Sequence, residues 1–141
     1  MSARPAVAGP PDPSQLAALA SHLAREAGLV LSRWRVEVDA GRSLEIRSKG
    51  SATDPVTAAD HASEARLVAL LTELRPDDGR LGEEGADRRG RTGLRWVLDP
   101  LDGTVNYTYG LPAWTVSVAV EREGEDGWQA VAGAVHHPPS A

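Results

Sequence analysis

The first apolar pattern along the chain predicts a long amphipathic helix that begins near Ser14. Its apolar residues recur at spacings of three and four: Leu16, Leu19, Leu23, Ala27, Val30 and Trp34. This spacing places them on one face of an α-helix. Residues 1–13 are rich in Ala and Pro and show no periodicity, so we expect a flexible tail there.

A second helix is predicted after a short strand and a loop. Leu44 and Ile46 alternate with polar neighbours as in a strand, and residues 49–55 are small or turn-forming. Thr57 stands three residues before Asp60, an acidic variant of the capping box, and apolar residues then keep helical spacing up to the next proline. We therefore expect Asp60 in the first turn of this helix.

The second half of the chain favours strands. Brief strands are predicted at residues 80–81 and 94–98, and longer ones at 114–120 and 128–135, joined by a charged turn over 121–127. Two helices followed by strands predict an α+β domain over residues 14–141, with the helices packed on a largely antiparallel sheet. Because no element closes the fold after the last strand, we expect the domain to be truncated at its C-terminus.

Composition removes several classes of function. The chain of 141 residues has no cysteine, which excludes disulfides, zinc–thiolate sites and thiol nucleophiles. Its net charge of −5, without a basic stripe, argues against a nucleic-acid partner. No apolar run is long enough to cross a bilayer, so we expect no membrane partner and a cytoplasmic location.

Two carboxylates stand where the strand at 94–98 ends. Pro100 fixes the backbone between Asp99 and Asp102, and Gly103 permits a tight turn that brings both carboxylates and the Leu101 carbonyl toward one point. Hard oxygen donors arranged in this way suit Mg²⁺. The alternative is a capped strand-to-helix turn with solvated aspartates.

Neighbouring motifs favour the metal-site interpretation. Thr104 begins a short helical turn through Tyr107, so the amides of Gly103 and Thr104 are expected to face a phosphate oxygen. Residues 82–85 (GEEG) form a second acidic cluster at a strand end, and by themselves they would be interpreted as a solvated loop. Two acidic strand ends that face each other would suit a two-metal site.

Four further polar residues have alternative interpretations. Asp60 is also favoured near a helix start by the helix dipole, and Lys49 is as often a surface lysine as a phosphate ligand. His136 and His137 are adjacent on a predicted strand and would point to opposite faces, so we assign no metal to them.

The order of these motifs resembles that of the inositol monophosphatase family. The matching segments are 49–51 (KGS), 54–60 (DPVTAAD), 82–85 (GEEG), 96–107 (WVLDPLDGTVNY), 110–112 (GLP) and 116–119 (VSVA). The resemblance covers nearly everything after Ser14. The long Asp-Pro-Leu-Asp-Gly-Thr motif with its upstream Gly-Glu-Glu is highly specific.

The resemblance implies the N-terminal half of the layered αβαβα sugar-phosphatase fold and a lithium-sensitive, Mg²⁺-dependent phosphatase acting on inositol phosphates. The implied metal ligands are Glu83, Asp99, the Leu101 carbonyl and Asp102. The implied catalytic residues, which orient the attacking water, are Glu83, Thr104 and Asp60. The implied phosphate-binding residues are Gly103, Thr104, Asp102 and Lys49.

The sequence also departs from the family. Members are roughly twice as long and carry a Trp-Asp motif that completes the second metal site, and this motif is absent here. We therefore expect weak or no turnover by this chain alone. The expected partner is a small phosphorylated polyol or sugar, and full-length relatives are expected to be homodimers.

Other functions stay open at the level of sequence. Asn106-Tyr107 and residues 110–112 favour the inositol type over relatives that cleave histidinol phosphate, fructose 1,6-bisphosphate or 3'-phosphoadenosine 5'-phosphate. A non-catalytic metal-binding fragment is the alternative from another class. A calcium-binding loop is set aside, because no twelve-residue pattern of alternating aspartates ending in Glu is present.

Overall fold

The computed structural model describes residues 10–45, 54–82 and 87–140. Its elements are α1 (Pro13–Glu45), α2 (Pro55–Leu74), β1 (Gly79–Leu81), β2 (Leu94–Asp102), α3 (Thr104–Thr108), β3 (Thr115–Gly124), β4 (Gly127–His136) and a 3₁₀ turn (Pro138–Ser140). The strands form one sheet in the order β1-β2-β3-β4, in which only the β1–β2 pair is parallel. The predicted α+β fold, with two long helices on a largely antiparallel sheet, is confirmed.

Helix α1 starts with a reciprocal cap. The Gln15 amide donates to Asp12 Oδ1 at 2.8 Å, and the Asp12 amide donates to Gln15 Oε1 at 3.0 Å. Pro13 follows as the first helical residue, where its missing N–H costs no hydrogen bond. The helix therefore begins at Pro13, before Ser14. The prediction of a flexible tail over residues 1–13 is wrong for Asp12, which caps the helix, and for Pro13. Residues 1–9 lie outside the described residues.

The strand predicted at Leu44 and Ile46 is wrong at Leu44, because α1 continues to Glu45. The apolar stripe of the helix extends beyond Trp34: Leu31 and Val38, seven residues apart on one face, are both buried. Burial of Val38 extends the apolar face one turn beyond Trp34, and an alternation of only two apolar residues is a weak strand signal. Ile46 lies outside the described residues.

Helix α2 begins earlier than its sequence pattern predicts. Asp54 caps it, because Asp54 Oδ1 accepts the Val56 amide at 3.1 Å and Oδ2 accepts the Thr57 hydroxyl at 3.2 Å. Pro55 occupies the first helical position. The cap predicted at Thr57 is therefore wrong, and Asp60 lies in the second turn of the helix.

The β3–β4 hairpin is longer than predicted. The charged segment assigned to a turn over residues 121–127 continues the ladder, with Glu121 opposite Ala130 and Glu123 opposite Trp128. Only Glu125 and Asp126 form the turn. Charged side chains at the exposed end of a hairpin do not prevent pairing, because the backbone groups make the ladder.

The core lies between the two long helices and one face of the sheet. Its largest fully buried apolar side chains are Trp96, Tyr107, Leu16, Leu23, Leu31, Leu67, Leu71, Val38, Val116, Val118 and Val120. Within the three described ranges, each helix is too short or too polar to cross a bilayer.

A buried carboxylate fixes the start of the sheet. Asp78, only 2% exposed, accepts hydrogen bonds from the Arg75 guanidinium at 2.7 and 3.0 Å, from the Thr92 hydroxyl at 2.7 Å and from the Trp96 indole at 2.9 Å. Asp78 thus ties the end of α2 to the start of β2.

Candidate active site

Asp99 and Asp102 lie at the C-terminal end of β2, where its pairing with β3 is interrupted. Asp99 stands opposite Ser117 and Asp102 opposite Thr115, and the register shifts between them, so residues 100–101 have no partner on β3. Such an irregularity re-aims the side chains next to it. Asp102 is exposed, whereas Asp99 is half-buried with its Oδ1 inaccessible to solvent.

Gly103 makes the turn that follows. Its φ is +86°, and a Cβ added there would lie 2.5 Å from the Ala113 carbonyl oxygen and 3.2 Å from Trp114 Cα. Glycine is therefore required both for the left-handed backbone and for the close approach. The Gly103 carbonyl accepts the Tyr107 amide at 2.9 Å, which starts α3 at Thr104. The predicted helical turn after the motif is confirmed.

The candidate metal-ligating atoms at this turn are all oxygens. The Thr104 hydroxyl donates to the Leu101 carbonyl at a long 3.4 Å, and a carbonyl oxygen has two lone pairs. With the carboxylates of Asp99 and Asp102, the described part of the predicted ligand set contains only hard oxygen atoms. This donor chemistry fits Mg²⁺ and does not favour metals that prefer nitrogen or sulfur.

Helix α2 meets the end of β2 through Ser63, a contact that the sequence analysis missed. The Ser63 side chain is buried, and its hydroxyl donates to the Pro100 carbonyl at 2.8 Å, between the two aspartates. Asp60 precedes Ser63 by three residues and therefore lies on the same helix face. Its Oδ1 is inaccessible to solvent. The contact could have been predicted from the sequence, because Ser63 is a polar residue on the apolar face of the helix, three residues after Asp60.

Two predicted site residues, Glu83 and Lys49, lie outside the described residues. Strand β1 runs parallel to β2 with Leu81 opposite Val97, so β1 ends two residues short of the level of Asp99. Among the described residues, no three His, Asp or Glu side chains form a group able to hold a metal ion. The predicted ligand set also includes Glu83 and therefore stays a prediction.

The two histidines near the C-terminus make structural contacts. His137 bonds through its ring nitrogens to the Ser140 hydroxyl at 2.8 Å and to the Pro112 carbonyl. His136 packs against Gly28 of α1, where an added Cβ would lie 2.7 Å from its Cδ2. Both residues join the end of β4 to neighbouring elements.

Comparisons with known proteins agree with this architecture. A profile of the inositol monophosphatase family matches residues 12–141. The inositol-1-monophosphatase of Mycobacterium leprae is 44% identical over 134 residues, and a histidinol-phosphatase of Chlorobaculum parvum is 38% identical over 106 residues. The structure of Mycobacterium tuberculosis SuhB superposes with a TM-score of 0.71 at 38% identity.

These matches cover most of this chain but less than half of each relative. The aligned regions are 88% of this chain and 45% of the M. leprae protein, and 75% of this chain and 39% of the C. parvum protein. The superposition covers 92% of this chain and 43% of SuhB. The chain thus spans under half the length of the relatives that it matches.

Proposed function

Because the chain belongs to the inositol monophosphatase family, we propose that it carries the metal-binding part of a Mg²⁺-dependent phosphomonoester hydrolase that acts on inositol phosphates. The observation that supports this proposal is the interruption of the β2–β3 pairing between Asp99 and Asp102, directly before the Gly103 turn. The names of several relatives as inositol-1-monophosphatases support the substrate class.

In this proposal, Glu83, Asp99, the Leu101 carbonyl and Asp102 hold Mg²⁺. Bound divalent cations lower the pKa of water and offset negative charge on the reacting phosphate oxygens. Asp99 and Asp102 supply the anionic charge that favours cation binding. The buried position of Asp99 Oδ1 limits competition from bulk water.

The remaining residues act on the water and the phosphate. Glu83, Thr104 and Asp60 orient the attacking water by hydrogen bonding. The amides of Gly103 and Thr104 bind phosphate oxygens next to the Asp102 carboxylate. Lys49 offsets phosphate charge. Positioning and electrostatic stabilisation are the main contributions a protein makes to phosphoryl transfer, so these roles suffice for the reaction class.

Calorimetric titration of the 141-residue chain with MgCl₂ tests the metal site. We expect saturable binding that Asp99→Asn and Asp102→Asn each weaken by roughly tenfold or more, because each removes one anionic ligand. Asp126→Asn, in the exposed β3–β4 turn, is the matched control and should bind Mg²⁺ like the unsubstituted chain. No binding, or an equal loss in all three variants, would refute the proposed site.

Phosphate release from inositol 1-phosphate tests the activity. We expect slow or no release by this chain alone, since it spans under half of its relatives' length. Histidinol phosphate is the second substrate to assay, because a histidinol-phosphatase is among the relatives. Mg²⁺ binding with no hydrolysis of either substrate would favour a non-catalytic metal-binding role. A cytoplasmic location and a homodimeric assembly stay predictions.

A further inference from the structure

A concave site lies at the N-terminal end of β2 and extends along β1 to Leu81. It is a cavity of ≈ 400 Å³, within the range of small-molecule sites. Its lining residues are Gly79, Arg80, Leu81, Asp87, Arg88, Arg89, Gly90, Gly93, Leu94, Arg95, Glu123 and Trp128. Arg95 precedes Asp99 by four residues on β2, a separation of about 13 Å along a strand. None of the described residues of the proposed metal site, Asp99, Leu101 and Asp102, lines the cavity.

The cavity is rich in positive charge although the whole chain is acidic. Among the described residues that line it, four are arginines and two, Asp87 and Glu123, are carboxylates, in a chain whose net charge is −5. The Asp87 carboxylate already accepts the Gly82 amide at 3.0 Å. The local field therefore favours an anion.

Two of these arginines are held directly opposite each other. Arg80 and Arg88 form an isolated antiparallel bridge, with reciprocal backbone hydrogen bonds of 2.8 and 2.9 Å. Like charges directly across such a pair destabilise it. Burial and, to a smaller extent, the charge of Arg88 lower the pKa of Arg80. An anion bound nearby would relieve this repulsion.

The described part of the chain leaves the guanidinium groups of Arg88 and Arg89 without a hydrogen-bonding or ion-pair partner. The other two arginines are engaged. Arg80 donates to the Thr72 hydroxyl at 3.1 Å, and Arg95 donates to Glu121 at 2.7 Å while its Cζ lies 4.1 Å from the centre of the Trp128 ring. Arg88 and Arg89 are thus the donors open to a ligand.

The loop that carries these donors is held by backbone contacts. A Cβ added at Gly90 would lie 2.1 Å from the Gly79 nitrogen, so the two segments touch directly. The Arg91 amide donates to the Asp77 carbonyl at 2.8 Å, and the Glu123 amide donates to the Gly93 carbonyl at 2.8 Å. These contacts hold residues 88–93 against β1 and β3, and a wall held in place before binding favours affinity.

We propose that this cavity binds a small phosphorylated anion with at least two negative charges, held by the guanidinium groups of Arg88 and Arg89 with Arg95 and Trp128 as a further wall. Phosphoryl oxygens match the forked donor geometry of arginine. The site needs no divalent cation and does not depend on the proposed hydrolase activity.

Calorimetric titration of the full 141-residue chain with pyrophosphate, in EDTA and at low ionic strength, tests the proposal. We expect saturable binding that is tighter than binding of inorganic phosphate and that weakens as KCl is added. The double variant Arg88→Gln/Arg89→Gln should weaken binding roughly tenfold or more, because it removes charged donors. Both residues are exposed, so its thermal unfolding should match that of the unsubstituted chain.

Two control variants separate this site from general charge effects and from the metal site. Arg91→Gln removes an exposed arginine of the same loop that does not line the cavity, and it should bind pyrophosphate like the unsubstituted chain. Asp99→Asn should also leave this binding unchanged. Absence of binding in EDTA, or an equal loss in Arg91→Gln, would overturn the proposal.

Discussion

The guanidinium of Arg35 lies over the ring of Tyr107, with 4.5 Å between Cζ and the ring centre, and it donates a hydrogen bond to the Tyr107 carbonyl. The Tyr107 hydroxyl in turn donates to the Leu31 carbonyl at 2.8 Å. Helix α1 thereby holds both ends of this residue, and with it α3, whose first residue is Thr104. The phosphate-binding turn of the proposed site thus depends on a helix distant in sequence.

Arg35→Met should lower the free energy of unfolding by about 1–3 kcal/mol, because it removes the cation–π contact and a charged hydrogen bond but keeps most of the apolar stem. Arg35→Lys should recover part of this loss. Arg33→Met, at an exposed position two residues earlier, is the control and should change stability little. Urea unfolding measures all three, and an equal effect at both arginines would contradict the assignment.

Gly103→Ala should destabilise the chain more than Gly93→Ala. Both glycines have a similar positive φ, +86° and +80°, so both variants incur the left-handed backbone strain. Only at Gly103 would the new Cβ also meet backbone, 2.5 Å from the Ala113 carbonyl oxygen, whereas nothing lies within 4 Å at Gly93. The difference in unfolding free energy between the two variants measures the cost of this close approach. We expect Gly103→Ala to be less stable than Gly93→Ala by about 1–3 kcal/mol.

Asp78→Asn should lower the free energy of unfolding by about 3 kcal/mol, because the buried carboxylate that receives the Arg75, Thr92 and Trp96 donors loses its charge. Asp77→Asn, at the exposed neighbouring position, is the matched control with little expected change. Urea unfolding followed by circular dichroism measures both variants. If the two variants were equally stable, the hydrogen bonds to Asp78 would make no net contribution to the free energy of unfolding.

His136 should make the chain less stable in mild acid. Burial first, and then the charges of Arg25 and His137, lower the pKa of His136 below its usual 6.5. As pH falls through about 6.5, the unfolded chain takes up a proton before the folded chain does, so the stability present above that pH is lost. His136→Gln should reduce the loss between about pH 7.5 and pH 5.5, whereas His22→Gln, at an exposed site, should not.

Predictions based on local chemistry were the most accurate. The 3.6-residue apolar period predicts both long helices. The strand predicted over 94–98 is confirmed but continues to Asp102, and the helical turn predicted after Gly103 is α3. A side chain's period along the chain and the backbone preference of glycine are properties of a few consecutive residues. Both properties can therefore be predicted from the sequence without knowledge of the fold.

Element ends and long-range contacts were predicted poorly. Three features differ from the sequence pattern: the caps at Asp12 and Asp54, the extension of α1 to Glu45 and the short hairpin turn. Where local signals compete, the structure adopts the conformation that buries more surface or satisfies more backbone groups. The Ser63–Pro100 and Arg35–Tyr107 contacts join residues 37 and 72 positions apart. No local pattern encodes such pairs.

The sequence by itself determined the kinds of element, the oxygen-donor motif around Asp99 and Asp102, and the family resemblance that the comparisons confirmed. Only the tertiary structure decided that Ser63 joins α2 to the end of β2, that Arg35 holds α3, and that arginines from β1, the following loop and β2 line one cavity. The physical reason is that motifs depend on neighbours in the chain, whereas these sites depend on packing between elements that the chain order separates.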